Sequence, residues 1–511
     1  MSHEPRMRRW IAVGAILVAA ILAGCGERDG PSGPDPGPDP GPGPGPPGSF
    51  EPAQVLARLA PGVEVATIHA RYGTTTLEAI ESQRVYLLAL PEETTVEEAL
   101  PEMQADPDLD GASPNGKLGV PEAQSRSTMA FADPSLGRAD REDQEAIRRI
   151  RAREAWGDSR GEGVIVAVLD TGVDPGHPQL AGRIADGGTD LVDGDSDFSD
   201  VPDGVDSDED GLVDEAVGHG TFVAGLVLSV APDAEILPIR ILDSDGTGQA
   251  VDIARAIELA VDRGARVVNL SLGMETESEV LQQVIVEQAR DKGIAFIASA
   301  GNRDSDQRQY PAGQAEVMAV AATDPGDAKA DFSNWGSWVS ISAPGVGLVS
   351  LLPAAAMGRW SGTSFASALA TGEAAILIAF VPFARADEVR AAIEDSAEDV
   401  ADPRLTGAGR IDVEAAVRFL EERLGLIEVG TEIEIAGLVV AVDLLARTIR
   451  LDDGTRVEVP HDGVIEESGD YVTLSAVAVA VGLGLPIRAD GLALEEDGDL
   501  RAIQIRFELD S

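Results

Sequence analysis

The chain has 511 residues, with 39 Lys or Arg against 89 Asp or Glu, a formal net charge of −50. At about 150 residues per domain this length suggests roughly three domains, and a hydrophobic share of 44% excludes a wholly disordered polypeptide. The negative charge argues against a nucleic-acid partner, because phosphates would be repelled. The single cysteine excludes a disulfide framework and any Cys-rich zinc site.

In chain order, Arg6, Arg8 and Arg9 precede an uncharged apolar run from Trp10 to Ala23. Fourteen residues fall short of the ~20 that span a bilayer, so residues 1–25 read as an export signal. The run ends in Leu22-Ala23-Gly24-Cys25, which resembles the lipobox of bacterial lipoproteins and implies lipid attachment at Cys25. The expected location is therefore the bacterial cell envelope, held by a lipid anchor. Residues 26–49, almost all Gly, Pro and Asp, cannot bury apolar surface and read as a hydrated spacer.

Residues 50–116 read as a small α+β unit. Gln54–Ala60 and Arg84–Leu90 are strand-like, Val63–Tyr72 is a helix stopped by Gly73, and Thr95 with Glu98 has capping-box spacing for a second helix. Residues 117–140, polar and mixed, read as an exposed linker. From 141 to 424, apolar strands (Val164–Leu169, Ile236–Leu242, Val267–Leu270, Ala295–Ala300, Val317–Ala321) alternate with helices (Val251–Arg263, Glu277–Lys292). That alternation predicts an α/β domain, a parallel sheet with helices on both faces. Residues 425–511 change to period-two alternation, as in Glu432-Ile433-Glu434-Ile435 and Ala502–Phe507, with turns at Asp452-Asp453-Gly454 and Glu496-Asp497-Gly498. This predicts a small all-β domain.

The chemistry lies in three segments of the central domain. Val164–Gly172 is a buried strand ending in Asp170; Gly218-His219-Gly220-Thr221 is the second; Gly362-Thr363-Ser364 opens a long apolar helix. Each alone has a bland reading, as turn residue, structural histidine and N-cap. Together they supply an acid, a base and a nucleophile. A serine hydroxyl needs a base to take its proton, and His219 has the intrinsic pKa for that task. Asp170 would fix the imidazole tautomer, and a helix N-terminus at Ser364 would aim N–H groups at a developing oxyanion. Asn302, closing Ala298-Ser299-Ala300-Gly301, offers a neutral side-chain donor for the same charge.

These segments resemble the subtilisin-like serine protease family: DTGVD at Asp170, HGTFVAG at His219, ASAGN ending at Asn302 and GTSFAS around Ser364. The likeness extends to Asn269–Gly273, Ser342–Gly345 and Gly407–Arg410. It implies a serine endopeptidase acting on proteins or peptides without a catalytic cofactor. It further implies a triad of Asp170, His219 and Ser364, with Asn302 as oxyanion donor. Ser271-Leu272-Gly273 would pair with the substrate backbone, and Ala298, Ser299, Ala300 and Gly301 would wall the specificity pocket. Gln309, before Tyr310-Pro311, falls where the pocket base is expected and would narrow it. Residues 50–116, ending Ser113-Pro114-Asn115, resemble the family's inhibitory prodomain, which implies self-processing and release. The chain departs from the pattern at Ala368 and Leu369 (usually Pro and His), at Phe222 (often His) and at Gln179, where many relatives place a calcium-binding Asp. The alternative from another class is a catalytically silent surface binding protein on the same fold.

Between Asp186 and Ala216 lie thirteen Asp or Glu and no Lys or Arg. Asp206, Asp208, Asp210 and Asp214, with Gly211 at the sixth position, match the start of an EF-hand-type calcium loop. Position 12 is Val217, with Glu215 as a substitute. The alternative is a solvated acidic loop; a disulfide-free exported protein needs another staple, which favours structural Ca2+.

Overall fold

The computed structural model describes residues 49–123, 130–400 and 403–423, and the strands that lie between 432 and 509. The signal segment, Cys25 and the Gly/Pro spacer up to residue 48 lie outside the described residues, as do both predicted β turns of the last domain in whole or part.

The centre is a seven-stranded sheet in which every neighbouring pair runs parallel. Its strand order is Ile341–Pro344, Val317–Thr323, Ala295–Ser299, Ala265–Leu270, Ile165–Asp170, Glu235–Arg240 and Thr189–Asp190. The central strands are largely apolar because helices cover both faces. On one face lie the helices His219–Val230 and Thr363–Phe380, in the core with Ile297, Val320 and Trp360. On the other lie Ala250–Asp262 and Glu279–Lys292, packed with Leu237, Val268 and Phe296. The helix Thr363–Phe380 is largely apolar, and 89% of it is buried. That burial makes it the helix of a globular core. Three strands end side by side, so Asp170, Asn269 and Ser299 emerge at one edge, where binding sites of open parallel sheets form.

Residues 50–119 form antiparallel strands Thr75–Ile80, Val85–Ala89, Phe50–Leu59 and Leu109–Gly119, with helices Val65–Tyr72 and Val96–Gln104. The second helix starts with the Thr95–Glu98 capping box, and the first ends at Gly73 in the left-handed conformation. Alternation along Phe50–Leu59 explains the docking: Val55, Ala57 and Leu59 face the unit's own helices. Leu56, with Ile80, Val85 and Leu87, packs into the core of the central domain. Ser113 Oγ and Asn115 Oδ1 accept the backbone N–H of Val280 and Val251, satisfying donors at the starts of the two outer helices.

The exposed linker read over residues 117–140 is corrected at its start, residues 117–122, whereas residues 130–140 are exposed or half-buried. Leu118, Val120 and Glu122 are buried. Lys117–Gly119 pairs antiparallel with Thr247–Gln249. Gly119 exchanges two 2.9 Å hydrogen bonds with Gly273, and Val120 N–H donates to Gly246 O at 3.0 Å. Two apolar side chains, a ladder on one side and the Gly119–Gly273 bridge on the other hold this stretch between two segments of the central domain. Arg141, where the predicted α/β domain begins, is buried and donates to Gly225 O and Ser229 Oγ. Phe131, by contrast, is 72% exposed.

The C-terminal strands Glu432–Asp443, Thr448–Leu451, Arg456–Glu458, Asp499–Leu509 and Ile487–Glu496 close into a barrel. Closure removes the free edges that an isolated sheet would expose.

Candidate active site

Asp170 ends its strand, His219 opens its helix, and Ser364 is the second residue of the helix Thr363–Phe380. All three are fully buried. Asp170 Oδ1 lies 2.7 Å from His219 Nδ1 and also accepts Thr171 N–H at 2.8 Å. The approach requires glycine at 220, where a Cβ would overlap the Gly172 carbonyl and press on Asp170. Asp170 and His219 are thus fixed by local backbone.

The imidazole stands edge-on to Trp360, with ring centroids 5.6 Å apart, and against Phe365 at 5.3 Å. Phe222 stacks on the same two rings, so the aromatic departure at 222 extends an apolar wall. Burial there disfavours charge on His219, but the carboxylates of Asp170 and Glu122 outweigh it and push its pKa up to about 10.

Asn302 is held by its carbonyl: Oδ1 accepts from Thr363 N–H at 3.0 Å and Thr363 Oγ1 at 2.9 Å. Thr363 Oγ1 in turn accepts Gly301 N–H. This fixes the amide so that Nδ2 points the same way as Ser364 N–H. Both meet one carboxylate oxygen, Oε1 of Glu122, at 2.9 and 3.3 Å.

Two carboxylates that motif reasoning missed complete the site. Glu122 lies among residues read as linker, and nothing in its local sequence marks it. Asp200, buried in the acidic insertion, accepts from Thr171 Oγ1, Gly218 N–H, and the N–H and Oγ1 of Thr221. It ties the Asp170 turn to the start of the His219 helix, and burial raises its pKa to about 6. Among thirteen acidic residues it carried no distinguishing signal.

Of the pocket residues, Gly273 pairs with Gly119 as an added strand, and Ser271 Oγ donates to Ser364 O at 3.0 Å. Leu272, Ala298, Ser299 and Ala300 are fully buried. The side chain of Gln309 fills the space between Gly273 and Gly301, where a Cβ on either glycine would collide with it.

Asp206, Asp208 and Asp210 bring one carboxylate oxygen each within 4.8 Å of one another. This trio does not include Asp214, whose Oδ1 accepts the backbone N–H of Asp203 and Gly204. Asp206 Oδ1 and both oxygens of Glu215 are buried without a hydrogen-bond partner among the described residues. Burial, then the charges of Asp245, Asp208 and Asp210, raises the Glu215 pKa to about 7. Hard oxygen donors lacking partners beside three carboxylates suit a calcium ion.

A parallel sheet whose strand ends bring Asp, His, Ser and Asn together defines a subtilisin-like serine endopeptidase, and the chain belongs to the subtilase family. The subtilase family model matches residues 161–409, and the fervidolysin N-terminal prodomain matches residues 43–115. The chain is 36% identical over 283 residues to thermitase of Thermoactinomyces vulgaris, covering 53% of this chain and 95% of thermitase. It is 31% identical over 374 residues to M-protease of Shouchella clausii (strain KSM-K16), covering 66% and 93%. In fold it is similar to the crystal structure of fervidolysin from Fervidobacterium pennivorans, described as a keratinolytic enzyme related to subtilisin. That TM-score is 0.59 at 22% identity, over 89% of this chain and 78% of the other.

Proposed function

We propose that the chain is an exported, lipid-anchored precursor that hydrolyses peptide bonds through Ser364, His219, Asp170 and Asn302. It cuts its own prodomain free. The observation that carries this reading is the convergence of Ser364 Oγ, Ser364 N–H, Asn302 Nδ2 and His219 Nε2 on one carboxylate. A substrate carbonyl at that point would meet a nucleophile, two oxyanion donors and a base.

A substrate strand lies between Gly246–Gln249 and Gly273, as Lys117–Val120 does. Its carbonyl carbon is attacked by Ser364 Oγ while His219 takes the proton. Asn302 Nδ2 and Ser364 N–H receive the negative charge on the oxygen. His219, held by Asp170, then gives the proton to the leaving amine, and water repeats the sequence on the acyl-enzyme. A catalytically silent binding protein has no chemical use for Thr363 holding the Asn302 amide toward Ser364 N–H, which disfavours that alternative.

Asp206, Asp208, Asp210 and Glu215 would hold Ca2+, whose charge would offset the repulsion among these carboxylates and brace the insertion. The signal sequence and Cys25 support export to the envelope with a lipid at the N-terminus. The test is hydrolysis of casein by matured wild type and by Ser364→Ala, His219→Ala and Asn302→Ala. The first two are expected to abolish activity, and the third to lower kcat by about 10²–10³. Wild-type turnover in Ser364→Ala would overturn the assignment.

A further inference from the structure

The group at the centre of the site belongs to the chain itself. Glu122 Oε2 accepts from Ser364 Oγ at 2.6 Å and lies 3.1 Å from His219 Nε2. Oε1 accepts from Asn302 Nδ2 at 2.9 Å and Ser364 N–H at 3.3 Å. The side chain is fully buried, and Gly362 makes room for it, since a Cβ there would overlap the carboxylate. One side chain thus engages every group that the proposed reaction directs at a substrate carbonyl.

Delivery is built into the backbone. Gly119 and Val120 are fixed by three hydrogen bonds to the cleft walls. At Pro121 the ladder stops, because proline has no N–H to donate, and residues 121–123 turn. The turn puts a side chain at the point where an extended substrate would present its main-chain carbonyl. A carboxylate in that position is a poor electrophile: its charge is delocalised and it carries no leaving group. It is nonetheless well matched to the site, because donors arranged for a developing oxyanion also bind a stable anion.

The carboxylate also disarms the base. His219 faces Asp170 Oδ1 through Nδ1 and Glu122 Oε2 through Nε2. Carboxylates only accept, so both ring nitrogens donate, and an imidazolium has no lone pair with which to take the Ser364 proton. The serine hydroxyl, meanwhile, donates to Glu122.

We propose that Glu122 is an internal inhibitor of the uncleaved chain, a side-chain carboxylate that occupies the oxyanion donors, the nucleophile and the base together. Cleavage of the precursor then requires Glu122 to withdraw first. This inference rests on the function proposed above and deepens it by naming what restrains the precursor.

The experiment refolds full-length wild type, Glu122→Gln, Glu122→Ala and Ser364→Ala, and pulses each with a fluorophosphonate probe as maturation proceeds. Labelling of the uncleaved band and its rate of conversion are read on gels. Loss of a charge-assisted contact of this kind corresponds to about ten- to hundredfold. Both Glu122 variants are expected to label and convert faster than wild type by that factor. Glu122→Gln keeps the side-chain volume, and a cooperative melt of Glu122→Gln in the Ser364→Ala background reports that it folds. Precursors of both variants that label and convert at the wild-type rate or slower overturn the proposal. Failure of the processed wild-type band to label would overturn the proposed function instead, and this inference with it.

Discussion

At the residue scale, four side chains were legible because each sits in a short motif whose chemistry is local. Asp170 ends an apolar strand, His219 and Ser364 open helices, and Asn302 follows a Gly whose neighbours are small. Glu122 and Asp200 were not legible, because their roles depend on where the fold carries them. An acidic residue in a polar stretch, or one of thirteen in an insertion, looks like solvated charge until a backbone path is known. Gln309 is intermediate: its position was readable, but only the structure shows its side chain wedged between Gly273 and Gly301. That placement leaves little room beside the reacting carbonyl, so matured wild type should prefer small residues immediately before the scissile bond. Gln309→Gly is expected to raise kcat/KM for peptides with Phe or Tyr there by at least about tenfold. An unchanged ratio of Phe to Ala peptide turnover would show that the side chain does not set the pocket.

At the scale of elements, the alternation of apolar strands and helices was enough to predict the parallel sheet, since burial on both faces leaves continuous apolar runs. The strand Leu109–Gly119 and its extension to Val120 were misread past residue 116. Gly, Pro and Lys there signal a loop, and only the partners on both sides make it a strand. The acidic insertion is joined to the same wall of the cleft. Asp245 accepts from Asp214 N–H at 2.6 Å and from Ser207 N–H, and the next residue, Gly246, accepts from Val120. Glu215 makes calcium dependence testable with a definite sign. A carboxyl whose folded pKa is raised to about 7 costs stability above its ordinary range near 4.5. That cost is relieved as pH falls through 7 toward 4.5. In chelator, the melting temperature of Ser364→Ala precursor should therefore rise between pH 8 and pH 5 by more than that of its Glu215→Gln derivative. Saturating Ca2+ should raise it at pH 8 by about 5 °C, the effect of a hundredfold excess over Kd on a domain this size. The effect should shrink toward pH 5. Differential scanning calorimetry decides it: equal melts with Ca2+ and with chelator at pH 8 would contradict calcium binding.

At the scale of the whole molecule, the order of parts along the chain matters more than any single contact. The proposed lipid site Cys25 precedes the prodomain, and the proposed nucleophile Ser364 follows the cleft-bound strand. A cut after Glu122 would leave the lipid on the inhibitor and the enzyme held only by docking, so digestion of the prodomain would end anchoring and inhibition together. Fractionated cells expressing wild type should yield a soluble C-terminal fragment beginning between about residues 123 and 145, beyond the cleft-bound strand and around the exposed Phe131. Ser364→Ala should stay full-length in the membrane. Full-length, membrane-bound and active wild type would contradict release without touching the chemistry. The chemistry itself has one direct test: mass spectrometry of matured wild type after reaction with a fluorophosphonate. A single adduct on Ser364, absent from His219→Ala and from heat-unfolded enzyme, is the predicted result. An adduct on any other residue, or none on folded active enzyme, would contradict the account.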